Sequence, residues 1–414
     1  MNNKNSKISF ANICIYFVVF LIPFYFFRFS ILGFKTNIFE VITAVTFVVF
    51  VIEHVNCLTI KKFQKVPVWV HLFLLISLIS IFLADDKTQA LGIFKGWFLF
   101  PVMLYLLVIN YFNRENISKL SAPLYLSLMI VSVWAILQKF GIIGQLFYQV
   151  GDNTFVQYIS EGRTFGPFES PNYLAMYVVP MIFLSLPFLR TIKNKLLKCL
   201  LILFYSFPII VLYFTTSRGG AVALAASIIA FILFLYFKSK VFRRVIEKQS
   251  NILIFGLIIV ATIFLIVAAR KISPNQGGDS IRIDIYHYSI AMIKENPLTG
   301  IGLGSFQEKI DQISADNSNF QQFGMSYALH PHNIFLAMWL NIGLAGLIIF
   351  IILLWQIILN LFKNKTEPFV KSCIFAALIA VLVHGLFDTT YFKNDLSAIF
   401  WLIFALSFVV RKTK

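Results

Sequence analysis

The chain has 414 residues, 59% hydrophobic and only 13% charged, with 47 Phe and a mean hydropathy of +0.83. A soluble domain is typically about a quarter charged, so a water-soluble fold is excluded and the class is a polytopic membrane protein. The formal net charge of +17 then points to Lys- and Arg-rich cytoplasmic loops, not to a nucleic-acid partner.

In chain order, Lys4 and Lys7 precede the apolar run 8–27, which is too long for a signal-peptide core and has no small-residue cleavage site. It reads as an uncleaved first span. Further apolar runs of span length follow at about 37–53, 66–83, 90–112, 117–140, 171–189, 196–214, 219–237, 251–269, 333–361, 369–388 and 396–410. The expected fold is therefore all-α with twelve transmembrane helices, since lipid leaves backbone groups no other partner. The whole of 1–414 forms one integral membrane domain.

Sorting the 35 basic residues by loop gives the orientation. The N-terminus, 54–65, 113–119, 190–198, 238–250, 362–371 and the C-terminus hold 22 of them; the opposite loops hold 11, and Lys95 and Lys139 lie inside spans. The richer side is cytoplasmic, which puts both termini inside and the long loops 141–170 and 270–332 outside. Cys14, Cys57, Cys199 and Cys373 show no metal-ligand spacing, and all fall near the cytoplasmic side, where no structural disulfide is expected.

The loop 270–332 has internal order. Ile283, Tyr286, Ile290 and Ile293 recur at helical spacing, an amphipathic stretch. Pro297 and the run Gly300, Gly302, Gly304 break it. That run has neither a strand before it nor a Lys after it, so it is not expected to cradle a nucleotide phosphate.

Ionisable residues from distant segments gather on the outer face. Arg163 precedes span six, Arg218 sits in the tight TTSRGG turn, Arg282 opens the amphipathic stretch, and His330 and His332 close the same loop before Asn333. Arginine offers a planar fork that matches phosphate oxygens, and histidine can remove a proton near neutral pH. Together they suit a diphosphate leaving group and a hydroxyl nucleophile. Structural readings stand beside these: Arg163 could pair with Glu161 or Glu169, Arg218 could snorkel to headgroups, and Arg282 could pair with Asp279 or Asp284. Lys95, inside a span near its outer end, is a candidate contact for a lipid-linked phosphate. His384 and Asp388, at i and i+4, are placed to face one another in support of the site. The acidic pair Asp85-Asp86 lacks other ligands around it, so no metal and no other cofactor is expected.

These residues resemble the O-antigen ligase and polymerase family. The resemblance rests on SPN after Arg163, SRGG at Arg218, R-x-D-x-Y from Arg282, ENPLTGIGLGSF, and H-P-H-N opening a helix that reads NIGLAGL; it covers about 165–350. It implies a metal-independent, inverting membrane glycosyltransferase of the C-type architecture in the bacterial cytoplasmic (inner) membrane. The implied donor is an undecaprenyl-diphosphate-linked glycan, and the implied acceptor is a lipid A core (ligase) or a second lipid-linked glycan (polymerase). By motif, His332 would be the base with His330 beside it, Arg218 and Arg282 would hold the diphosphate, and Arg163 transfers more loosely. The chain ends soon after the last span, which argues against the extramembrane domain of protein-glycosylating relatives. A polysaccharide or small-anion transporter or flippase of the same superfamily is the alternative. Charges at one surface, with no matched Pro-broken spans, favour the enzyme.

Overall fold

The computed structural model describes residues 10–31, 33–55, 65–144, 147–150, 153–156, 162–248, 278–314, 330–363 and 366–411. They form helices α1 (Phe10–Phe20), α2 (Ile38–Val55), α3 (Val68–Leu83), α4 (Lys87–Ile93), α5 (Phe100–Tyr111), α6 (Ser121–Lys139), α7 (Pro171–Ser185), α8 (Lys195–Phe204), α9 (Ser206–Thr215), α10 (Arg218–Lys238), α11 (Lys240–Lys248), α12 (Gly278–Glu295), α13 (Phe306–Ser314), α14 (Ile334–Phe362), α15 (Pro368–Gly385) and α16 (Asn394–Arg411). Two short antiparallel hairpins, Arg28–Ile31 with Phe34–Asn37 and Phe147–Val150 with Asn153–Val156, occupy loops. The protein is an all-α, multi-pass membrane protein. Among the described residues, eight helical stretches are long and apolar enough to cross a membrane, and α1 and α3 are shorter apolar helices. The expected count of twelve is not confirmed among the described residues. The run 8–27 yields only the eleven residues of α1 before a 3-10 turn at Pro23, because Pro lacks the amide a helix interior needs. The expected span 251–269 lies outside the described residues.

The core is built around α16, whose residues from Asp395 to Ser407 are all buried. Trp401 is fully enclosed and stacks against Phe73, Tyr105, Phe400 and Phe404. Helix α8 is the opposite case: none of its residues is buried, and Leu196, Leu203 and Ile202 face outward. In lipid that exposure carries no penalty, because acyl chains are as apolar as leucine.

One end of the bundle is tied by a strap. Helix α14 breaks at Ile342 and Gly343, where Gly343 takes φ 72° and ψ 178°, a conformation essentially restricted to glycine. The Pro297–Ser305 segment docks onto that break: Ile301 N donates to Leu340 O (2.8 Å), Leu344 N to Leu298 O (3.0 Å) and Gly304 N to the Asn341 side chain (3.0 Å). A Cβ on Gly300 would lie 2.4 Å from the Leu340 carbonyl, and one on Gly302 2.6 Å from the α3 end at Ala84. The glycine run thus allows backbone-to-backbone contact. Its amides close the strap instead of facing a phosphate.

The strap carries α12 and α13 onto α14, where Ile285, Met292, Ile293, Phe306 and Ile310 pack against Leu336, Trp339 and Leu340. This corrects the expected face of the amphipathic stretch, since Ile283 and Ile290 are exposed. A surface helix on a membrane protein has two apolar partners, protein and lipid, and periodicity alone does not assign faces between them.

Candidate functional site

The N-terminal ends of α7, α10, α14 and α16 and the C-terminal end of α15 meet at one end of the bundle. Three of these starts are capped by a side chain that the local sequence supplies: Ser170 for α7, Ser217 for α10 and Asn333 for α14. Asn333 takes the amides of Phe335 and Leu336 on its Oδ1 and donates its Nδ2 to Leu386 O at 3.3 Å. It therefore fixes the α14 start to the turn after α15.

His332 sits directly before that cap at φ 47°, a left-handed backbone that non-glycine residues rarely adopt. Its carbonyl accepts the Tyr286 hydroxyl of α12 at 3.0 Å. Its ring Nδ1 donates to Asp388 Oδ1 at 3.2 Å. Asp388 is 3% exposed and also accepts the Thr389 amide at 2.8 Å. Burial alone would raise the Asp388 carboxyl, but the His332 charge and hydrogen bond, with help from His384 and the Thr389 amide, hold it well below the usual carboxylate range. With Nδ1 committed to a carboxylate, the ring lone pair lies on Nε2, which has no partner among the described residues. The dyad has the form of an oriented base.

His330, across Pro331, is held differently. Its Nε2 lies 2.6 Å from the hydroxyl of Tyr173 on α7. Burial first, then repulsion from His332, lowers its pKa to about 4, with Asp388 acting in the other direction. It is neutral at pH 7.

The arginines arrive from three elements. Arg163 Nε donates to Thr215 O at the α9 end (2.9 Å), and its Nη2 reaches the Asn172 side chain at 3.5 Å. Gln138 of α6 places this loop, its Oε1 accepting Thr164 Oγ1 and the amides of Phe165 and Gly166. The expected pairing of Arg163 with Glu169 does not occur: Glu169 pairs with Arg28 and Lys393. Glu161 lies outside the described residues. Arg218 opens α10 at an exposed position, and the next residue, Gly219, lies so close to His384 that a Cβ would stand 2.8 Å from its ring. Arg282 lies one turn before Tyr286, whose hydroxyl is raised by burial, pulled down by Arg282 and raised by Asp388.

Two expected placements change. The Asp388 carboxylate bonds His332, not the side chain of His384, whose buried Nδ1 has no partner among the described residues. Lys95 pairs with the buried Glu40 at 2.8 Å and donates to Lys35 O at 2.6 Å, so its charge is met within the protein. In the acidic pair, Asp85 faces Lys309 at 3.5 Å and Asp86 caps α4. His287 is exposed on α12. Sequence reasoning missed Tyr173 and Tyr286 as polar members of the site. Their signals were a Tyr one residue beyond SPN and a Tyr four residues after Arg282.

Residues 201–351 match the family model described as O-Antigen ligase, a stretch that holds Arg218, Arg282, His330, His332 and Asn333. Over this stretch the chain is similar to the O-antigen ligase family. The strap, the α14 break and both histidines lie inside this matched stretch, whereas Asp388 and Arg163 lie beyond its ends. A curated protein of Rickettsia conorii (strain ATCC VR-613 / Malish 7), titled "Putative polysaccharide ligase", is 24% identical over 168 residues. That match takes in 37% of this chain and 40% of the relative's length.

Proposed function

We propose that the protein is a membrane glycosyltransferase that moves a glycan from undecaprenyl diphosphate to an acceptor hydroxyl at the extracytoplasmic face. The observation that carries this reading is the His332–Asp388 pair, 3.2 Å apart, at a bundle end where Arg163, Arg218 and Arg282 also arrive. In the step envisaged, His332 Nε2 takes the proton of the acceptor hydroxyl as its oxygen bonds the anomeric carbon. The bond from that carbon to the phosphate oxygen breaks, and its electron pair leaves on the diphosphate. Attack opposite the leaving group inverts the anomeric centre. Arg218 and Arg282 meet the charge that grows on the diphosphate, where fixed cations act most strongly. Arg163, anchored to Thr215 and Asn172, borders the same region.

The 22-to-11 asymmetry of basic residues supports cytoplasmic termini and an outward-facing site. A transporter fits less well, because the ionisable residues that meet do so at helix ends. The relative's title supports ligation of a polysaccharide; a second lipid-linked glycan as acceptor would make the same chemistry a polymerase.

Turnover and donor KM, measured in proteoliposomes with an undecaprenyl-diphosphate-linked oligosaccharide, test the reading. His332→Ala is expected to lower turnover by roughly 10²–10⁴-fold with donor KM nearly unchanged. Arg282→Ala should damage both, and Arg282→Lys should rescue only in part, because the ammonium lacks the fork. Wild-type turnover in a folded His332→Ala protein would refute the base.

A further inference from the structure

The two histidines of the site are held by partners of opposite kind. His332 donates its Nδ1–H to a carboxylate, while His330 presents Nε2 to a phenol. The direction of that second bond follows from what surrounds Tyr173. This tyrosine is 8% exposed, and the Lys393 ammonium lies 3.7 Å above its ring centroid. A cation on the ring face draws electron density out of the phenol. That favours the O–H as donor, while the Asp388 and Asp395 carboxylates act on the hydroxyl in the opposite sense.

Lys393 is not free to leave that position. It is ion-paired with Glu169 and donates to the Tyr25 hydroxyl at 3.1 Å, and Arg28 holds Glu169 from the other side at 3.1 Å. With Tyr173 as the donor to His330 Nε2, the neutral ring carries its proton on Nδ1. That atom has no hydrogen-bond partner among the described residues, and the residue as a whole is half-buried. One histidine thus presents an open lone pair and the other an open N–H, on either side of Pro331.

We propose that His330 is the acceptor-binding donor of the site: its Nδ1–H binds a second oxygen of the acceptor sugar, beside the hydroxyl that His332 deprotonates. Tyr173 is the residue that positions it, and Lys393 polarises Tyr173. The proposal rests on the glycosyltransferase reading above and adds a demand on the substrate. The acceptor sugar must offer an oxygen next to its nucleophilic hydroxyl, as a vicinal diol does. Burial of His330, which keeps the ring neutral at pH 7, is consistent with a donor that binds a neutral sugar oxygen and leaves the diphosphate to the arginines.

The test reads the tautomer directly. Full-length protein with ¹⁵N-labelled histidine, held in lipid nanodiscs at pH 7, is expected to give a His330 signal with Nδ1 protonated and Nε2 bare, assigned by its loss in His330→Asn. Tyr173→Phe should shift that signal to a mixture of tautomers without moving the His332 resonances. A His330 protonated on Nε2, or on both nitrogens, would overturn the proposal.

Kinetics supply the second arm, with an undecaprenyl-diphosphate-linked oligosaccharide as donor and purified lipid A core as acceptor. An asparagine amide reaches the place of Nδ1 and a glutamine amide that of Nε2. His330→Gln should raise acceptor KM roughly 10-fold, the worth of one substrate hydrogen bond, and His330→Asn by a smaller factor, with donor KM unchanged in both. Equal losses in the two variants, or a loss in donor KM, would sink the assignment. His332→Ala at wild-type turnover would remove the glycosyltransferase base itself, whereas a wrong tautomer at His330 removes this proposal alone.

Discussion

Replacing Asp388 by Asn probes the dyad with little change of volume. In the wild type the carboxylate, 3% exposed, accepts the His332 Nδ1–H at 3.2 Å. When His332 takes the acceptor proton, an imidazolium forms at that distance from a full negative charge. Coulomb's law with an effective dielectric of about 20 puts the attraction at about 5 kcal/mol. An amide in the same place offers only a dipole, and if its NH₂ turns to the ring, Nδ1 becomes the acceptor and the proton moves to Nε2. The base then has its lone pair on the wrong side. Each 1.4 kcal/mol lost is tenfold in rate, so turnover should fall by roughly 10²–10⁴-fold, the range of a positioned base. Donor KM should stay within a few-fold, since the arginines proposed to hold the diphosphate are on other elements. The assay is release of undecaprenyl diphosphate by wild-type and Asp388→Asn protein in proteoliposomes, beside a thermal melt to confirm folding. A folded Asp388→Asn protein with turnover within threefold of wild type would refute the argument that the carboxylate orients the base.

Other consequences follow from the same geometry. Burial pushes the His330 pKa down to about 4 from its ordinary 6.5, so between those values the unfolded chain binds a proton that the folded one does not. Stability should therefore fall as pH drops from about 6.5 toward 4, and His330→Gln should flatten that part of the Tm–pH curve. Gly343→Ala places a Cβ 2.5 Å from the Leu298 carbonyl at φ 72° and should destabilise the strap by about 1–3 kcal/mol. Gly92→Ala, with open space around it in α4, should be neutral or slightly stabilising in the same melt. Lys95→Met leaves the Glu40 carboxylate, 3% exposed, without its cation; a lowered Tm with unchanged donor KM is expected, and a raised donor KM would return Lys95 to the diphosphate.

How much of this was legible in the sequence differs from residue to residue. Hydropathy determines class and most spans, because lipid admits so few backbone solutions; eight of the expected runs reappear as helices of span length. The motif order around Arg218, Arg282, His330 and His332 also marks the stretch that is similar to the O-antigen ligase family, since these short patterns are local. The faces of α12 were not legible, because lipid and protein present the same apolar surface to Ile283 and Ile285. Nor was the partner of Asp388. The i, i+4 spacing offered His384, but the Asn333 cap and the Tyr286 bond place His332 there instead. Lys95 looked like a phosphate ligand until Glu40, far from it in sequence, came within 2.8 Å. Sequence alone determines which segments must enter the membrane and which residue types are available at its surface. Only the tertiary structure decides which of those charges neutralise one another and which keep an open nitrogen, because that depends on distances between helices that no local pattern encodes.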